Sequence, residues 1–526
     1  MQTFRLTLAL LTALGAAVPM TASASEAAGE PSRTAQAPAL HWRVPAYPAA
    51  NVAKMAYGEM SARRLLDLQR KNAAPGLKAT QIGIGRDARQ ESAQSRLPAL
   101  KWMPVAGGWV ARAEIRSMDA MGVRVGLDVS GLADRVELRF AGSARPNDVV
   151  AAMTAAEMKR LPGTDGHFWS PGTDGETQII ELFRPRGVPA SAARLDAPVL
   201  SHLIADSRNT FKLVEKIGES GSCNVDVICR INELGQDYVN AKNAVAHMRF
   251  VVGSTTYICT GTLLADTVPQ TQVPYFLTAN HCFSNNTNAA PVPSQMQAVA
   301  NTLNTYWNYE TTACGNGTST PVTLLSGGAT YLYSDNNTDG NFIRLNNAPP
   351  SFAYFAGWNA ATIANGTPVF AIHHPSGDAK KVSSGQVLGK DADNIEIAWL
   401  NGTTEGGSSG SGLFTTGPRG YVVRGGLYGG FADCSNSGST TNSQNRDYYS
   451  RLDVYFPQIK SWLEPQPEAL NGNRARVRPR PASVAPAPAP QALPSQGATP
   501  PAAPAPAATN RGTRLLPAAR EGVSRK

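Results

Sequence analysis

Strict alternation of apolar and polar residues marks Val136-Glu137-Leu138-Arg139-Phe140 as a half-buried strand, and the looser run Thr177-Gln178-Ile179-Ile180-Glu181-Leu182 reads the same way. Both lie in a stretch without cysteine, residues 25–216, which starts rich in Ala and Pro and continues richer in charge. It is read as a mostly β N-terminal region. Further along, the apolar runs 259–264 and 273–278, then 369–373, 395–400, 412–416 and 422–427, have strand composition. Tyr455, Ile459, Trp462 and Leu463 then form an apolar stripe at helical spacing, with Pro457 placed in a first turn. The pattern predicts an all-β architecture. Two packed β-barrels fill residues 217–464, a short C-terminal helix closes them, and a mostly β region precedes them.

Composition divides the rest. Arg5 precedes an apolar stretch over 6–18, and Ala22-Ser23-Ala24 supplies small residues for cleavage, so residues 1–24 read as a secretory signal peptide. That stretch is too short to span a bilayer, and no other segment comes close, so a secreted protein without a membrane span is expected. Residues 465–526 are Pro/Ala-rich with scattered arginines, among them Arg474, Arg476, Arg478 and Arg480. They bury too little apolar surface to offset ordering entropy, so the tail is expected to be disordered or removed. The formal charge of +9 does not point to nucleic acid, because residues 217–464 hold 12 Lys/Arg against 17 Asp/Glu. All 6 cysteines, at 223, 229, 259, 282, 314 and 434, fall in that same stretch. An even number in a secreted domain implies disulfides, with about fifteen pairings open on spacing alone.

The candidate chemistry lies in two motifs. Thr278-Ala279-Asn280-His281-Cys282 ends an apolar run, and Gly407-Ser408-Ser409-Gly410-Ser411-Gly412 follows well downstream. A serine hydroxyl is a weak nucleophile at neutral pH. It needs an imidazole to take its proton and a buried carboxylate to orient that imidazole. His281 and Ser409 therefore call for an aspartate. Asp339 is assigned, because the strand-like Phe342-Ile343-Arg344-Leu345 follows it closely, whereas Asp335 is followed by the turn-like Asn336-Asn337-Thr338. The glycines around Ser409 leave the backbone N–H groups of Gly407 and Ser409 free to form an oxyanion hole. This chemistry requires no cofactor. His373-His374 is not read as a metal site: neighbours on a strand point to opposite faces, and no acidic or cysteine cluster accompanies them.

With these residues in place, the chain resembles the bacterial lysyl endopeptidases, secreted serine proteases with the trypsin-like fold. Gly221-Ser222-Cys223-Asn224-Val225-Asp226-Val227-Ile228-Cys229 looks like the start of their mature enzyme. Tyr275-Phe276-Leu277-Thr278-Ala279-Asn280-His281-Cys282, Tyr306-Trp307-Asn308-Tyr309, Ala356-Gly357-Trp358, Ile372-His373-His374-Pro375 and Thr404-Glu405-Gly406-Gly407-Ser408-Ser409-Gly410-Ser411 follow in order. The resemblance implies His281, Asp339 and Ser409 as the triad, and disulfides Cys223–Cys434, Cys229–Cys314 and Cys259–Cys282. The position six residues before Ser409, where trypsin has its pocket aspartate, is Thr403. The resemblance instead implies Asp447, in Arg446-Asp447-Tyr448-Tyr449-Ser450, as the floor of the S1 pocket. Glu405 matches a second acidic position near it. Thr404, Tyr428, Gly429 and Gly430 complete the implied substrate-binding set. Tyr428 departs from the pattern, since the best-known members carry a histidine there, and the segment between Lys381 and Trp399 is short and lacks the tryptophan that stacks on it.

The expected activity is hydrolysis of proteins or peptides after lysine by a monomeric enzyme. Arginine is the alternative at P1, since one carboxylate attracts either cation. A catalytically silent peptide- or surface-binding homologue is the alternative of another class. Residues 25–216 are read as a propeptide that partners the enzyme. Lys216 precedes Ile217, so a lysine-specific protease would release its own mature domain between them.

Overall fold

The computed structural model describes residues 25–74, 76–92, 94, 96–207, 219–268, 270–315 and 317–465. The signal reading at 1–24, the junction Lys216 and Ile217, and residues 466–526 of the tail lie outside the described residues.

The alternating N-terminal segments form the strands they predict, Glu137–Gly142 and Thr177–Pro185, which pair antiparallel. They lie in a 6-stranded sheet, and a second, 5-stranded sheet carries Gly122–Asp128 and Asp196–Leu203. Inward residues of both sheets, among them Leu138, Phe140, Ile180, Leu182, Val123, Val125 and Leu200, share one core. An amphipathic helix, Ala62–Asn72, lies on this domain, its residue Leu68 buried.

Downstream, two further sheets make the barrels. The first runs through Val245–Val252, Thr255–Leu264, Tyr275–Ala279 and Gly340–Leu345 in consecutive antiparallel pairs. In the second, Gly420–Gly430, Gly412–Gly417, Pro368–His373, Lys381–Lys390, Asn394–Asn401 and Asp447–Ser450 pair in turn. Gly420–Gly430 then pairs with Asp447–Ser450, which closes the ring. Each barrel has its own core, around Phe276, Ile343 and Trp307 in one and Val387, Ile397, Trp399 and Leu413 in the other.

The closing helix is Leu452–Leu463. It buries Leu452, Tyr455, Phe456, Ile459 and Leu463 against Leu277 and Phe342 of the first barrel and Phe414 and Val423 of the second. It starts earlier than the apolar stripe suggests. Pro457 therefore sits in the helix interior rather than in its first turn. One backbone donor is lost there, and the buried stripe continues through it.

Three disulfides join Cys223–Cys434, Cys229–Cys314 and Cys259–Cys282, at Cα separations of 5.5, 5.0 and 6.5 Å. The N-terminal domain does not stop at its own surface. Glu26–Ala27 pairs with Gly357–Asn359 of the second-barrel sheet, and Thr80–Gln81 adds to the edge of Thr255–Leu264 in the first. The buried guanidinium of Arg124 donates to Ser170 O within its domain at 2.9 Å and to Thr302 O across the boundary at 2.5 Å. Among the described residues no helix is long and apolar enough to cross a membrane.

Candidate active site

Ladder register brings the first two sequence-predicted site residues together. Ala279 and Gly340 are partners on adjacent antiparallel strands, so the residues just beyond them, Asn280-His281 and Asp339, meet at the sheet's end. His281 sits in a single helical turn, Asn280–Phe283, pinned by the Cys259–Cys282 bridge. Asp339 adopts a left-handed backbone, φ +62°, a region that aspartate tolerates better than most side chains. That turn lets its carboxylate reach back twice: Oδ1 accepts from the His281 backbone N–H at 2.8 Å, and Oδ2 lies 2.7 Å from His281 Nδ1. Burial pushes the Asp339 carboxyl up, and the adjoining His281 opposes the shift. Asp335 is instead engaged in its own turn, accepting from the backbone of Asn337 and Thr338.

Ser409 arrives from the second barrel. Its Oγ is 2.7 Å from His281 Nε2, and all three side chains are buried. The loop that carries it is stitched to both barrels. Ser409 O accepts from Thr260 N, Gly407 O from Thr260 Oγ1, and Leu427 O from Gly410 N, each at 2.8 Å. Gly407 has φ +94°, and a Cβ there would lie 2.7 Å from His374 O, so only glycine fits. Its N–H is thereby turned into the cleft. The geometry suits proton transfer from serine to imidazole, with the imidazolium stabilised on its far side by a carboxylate.

His373 and His374 turn to different partners. His373 bonds Ser408 Oγ through Nδ1 at 2.8 Å and Ser383 Oγ through Nε2 at 2.9 Å, so it braces the residue next to Ser409. His374 Nδ1 bonds Asp378 O at 3.0 Å. Cys259, His281 and Cys282 place potential ligand atoms within 4.8 Å of one another, but both sulfurs are spent in a disulfide and the ring is engaged on either side.

Asp447 lies fully buried at the start of the strand Asp447–Ser450, in register with Gly430. Its Oδ2 accepts from Thr404 Oγ1 at 2.6 Å and from Trp399 Nε1 at 2.7 Å. These bonds fix the carboxylate and leave Oδ1 turned toward the cleft. Glu405 follows Thr404 in the chain but does different work. One of its oxygens accepts from Gly221 N and Asn224 Nδ2, the other from Ser376 Oγ, so it anchors the segment next to Cys223. Tyr428 sets its ring edge-on to His281, with centroids 6.3 Å apart at 81°.

Sequence reasoning missed one residue in this cleft altogether. Lys78, from the N-terminal domain, places Nζ 2.7 Å from Asp447 Oδ1, 2.8 Å from Thr404 Oγ1 and 3.0 Å from Thr404 O. No motif distinguishes this lysine from others in its domain. Only the fold shows that Gly76–Leu77 pairs with Gly429 and Gly430 and carries it in.

Two packed barrels with a serine–imidazole–carboxylate chain at their seam define a serine endopeptidase of trypsin-like fold. A family model described as "Lysyl endopeptidase, C-terminal domain" matches residues 217–450, and "Lysyl endopeptidase N-terminal domain" matches residues 56–204. A "Lysyl endopeptidase" of Pseudomonas aeruginosa is 36% identical over 403 residues, covering 73% of this chain and 81% of that protein. The chain belongs to the lysyl endopeptidase family. A solved inactive form of Rv3671c from M. tuberculosis aligns over 44% of this chain and 92% of that one, at 14% identity and a TM-score of 0.27, a likeness too slight to carry an argument.

Proposed function

We propose that this enzyme is a secreted endopeptidase that cleaves on the carboxyl side of lysine through an acyl-enzyme formed on Ser409. The observation that carries the reading is the unbroken chain from Asp339 Oδ2 through His281 to Ser409 Oγ, 2.7 Å at each link. His281 takes the Ser409 proton as Oγ attacks the scissile carbonyl, then delivers it to the leaving amine. Asp339 holds the ring's tautomer and stabilises its cation. The N–H groups of Gly407 and Ser409 receive the oxyanion. Asp447, oriented by Thr404 and Trp399, supplies the counter-charge for a substrate ammonium in a desolvated pocket. Glu405 contributes by holding the pocket wall rather than by touching the cation, and Gly429 and Gly430 offer the edge to which an extended substrate adds.

The same reading assigns residues 1–24 to a signal peptide, 25–216 to a propeptide released between Lys216 and Ile217, 217–464 to the mature enzyme and 465–526 to a Pro/Ala-rich basic tail. Two measurements test it. A serine-directed fluorophosphonate should label the mature enzyme at Ser409 and not label Ser409→Ala. A panel of peptides differing only at P1 should be cut after lysine; equal or faster cutting after arginine overturns the lysine assignment.

A further inference from the structure

We propose that Lys78 is the P1 residue of a self-cleavage site: in the uncut chain it fills the enzyme's own specificity pocket and holds the cleft shut until the Lys78–Ala79 bond is cut. This rests on the reading that Ser409 attacks after lysine, and deepens it by naming an internal substrate.

The N-terminal segment lies in the cleft as an extended substrate would. Before Lys78, Leu77 and Gly76 pair antiparallel with Gly429 and Gly430. A Cβ on Gly429 would stand 2.5 Å from Gly76 O, so the segment reaches this depth because that wall has no side chain. After Lys78, Ala79 N lies 3.3 Å from Asn286 Oδ1, and Thr80 and Gln81 pair with Ile258 and Tyr257 of the other barrel. The chain therefore crosses the seam between the barrels at Lys78 itself.

At that crossing both ends of the residue meet the machinery. The ammonium bonds Asp447 Oδ1, both oxygens of Thr404, and Ala432 O. The carbonyl oxygen of Lys78 accepts from Gly407 N at 2.5 Å. A side chain could enter the pocket by charge alone. The backbone carbonyl on the oxyanion-hole donor shows that the scissile register is reached as well. Lys78 is buried, whereas Lys54, Lys71, Lys101 and Lys159 of the same domain are exposed.

The step balances with water as the only co-reactant. Ser409 Oγ bonds to the Lys78 carbonyl carbon while its proton passes to His281 Nε2. The bond to Ala79 N breaks and that nitrogen takes the proton. Water then adds to the acyl carbon, leaving a Lys78 carboxylate and the Ser409 hydroxyl. Until then, the tether holds the plug at an effective concentration of millimolar order, which suppresses access by outside substrate.

The test uses the full chain carrying Lys212→Gln and Lys216→Gln, which removes both lysines of the connecting segment, alone and combined with Lys78→Gln or Ala79→Pro. Mass spectrometry follows new termini, and a small lysine thioester reports pocket access. With Lys78 present, a fragment beginning at Ala79 should form with a first-order rate independent of chain concentration, and thioester turnover should rise with it. Lys78→Gln should give no such terminus and should turn over thioester at least about tenfold faster at time zero. Ala79→Pro keeps the plug but presents a bond that resists cleavage, so that chain should stay intact and closed. The absence of an Ala79 terminus, or equal initial turnover with and without Lys78, overturns the proposal while leaving a lysine-cleaving enzyme intact. Failure of every form to hydrolyse the thioester, including enzyme stripped of residues before 217, would sink the underlying reading instead.

Discussion

Asp339 binds one histidine twice, once at the backbone and once at the ring, so charge and shape are separable at this residue. Asp339→Asn keeps the shape and presents the wrong hydrogen-bonding group to Nδ1, and turnover should fall by about four orders of magnitude. Ser409→Ala should cost roughly five to six orders. Asp335→Asn should leave kcat/KM nearly unchanged, because that side chain serves only its own turn; a large loss there would reassign the third member. At the pocket, Asp447→Asn should weaken transition-state binding of lysine substrates by about 2–5 kcal/mol, read as kcat/KM, since an ammonium would enter a desolvated site without its counter-charge. Slow cutting after other residues should change little, and equal losses across all P1 residues would make Asp447 a structural group. His281, Asp339 and Ser409 were legible in the sequence because acyl transfer demands those residue types and chain order limits the choice. The partners of Glu405 were not, because an acid two residues from a glycine loop carries no mark of whether it faces a ligand or a neighbouring chain segment.

Elements were read well where periodicity was strong. The strands Glu137–Gly142, Pro368–His373 and Gly412–Gly417 lie on runs whose alternation or β-branched content left little choice. Ends are read less well, as the helix Leu452–Leu463 illustrates: the apolar stripe counted from Tyr455 puts Pro457 in a first turn and leaves out Leu452 and Phe456, which the helix also buries. Packing decides that helix. Ile459 is fully buried between the barrels, so Ile459→Ala should destabilise the enzyme by about 2–5 kcal/mol, measured by urea unfolding of a Ser409→Ala background that cannot digest itself. A loss under about half a kilocalorie would mean the helix does not clamp the barrels. The ladder between Tyr275–Ala279 and Gly340–Leu345 matters differently, since its register, not its stability, brings His281 to Asp339.

Across the whole molecule, burial has stripped four histidines of their basicity. His202 is pushed down to about 4 by burial with help from Arg86, and His374 to about 3 by burial with help from Lys380. Burial, aided by Arg249 for His247 and by His374 for His373, pushes those two well down also. Each stays neutral in the folded chain while the unfolded chain takes up a proton below about 6.5. The unfolded state therefore binds more protons, and stability must fall as pH drops from 6.5, by up to about 1.4 kcal/mol per pH unit for each histidine, with a plateau above 7. Urea midpoints of the Ser409→Ala chain from pH 4.5 to 8 check this, and a flat profile or a rise toward acid would contradict it. At this scale the sequence was least informative: charge and cysteine usage separated the two large regions, but nothing local showed Lys78 crossing into the other domain's cleft. Contacts between residues 369 positions apart, such as Lys78 with Asp447, leave no periodic trace. The most direct test of the account is to digest one denatured protein with the mature enzyme and with Asp447→Asn, and to read every new C-terminus by mass spectrometry. Lysine should end nearly every fragment from the mature enzyme and should lose that dominance with Asp447→Asn; arginine ends in equal number, or a lysine preference that survives the substitution, would contradict it.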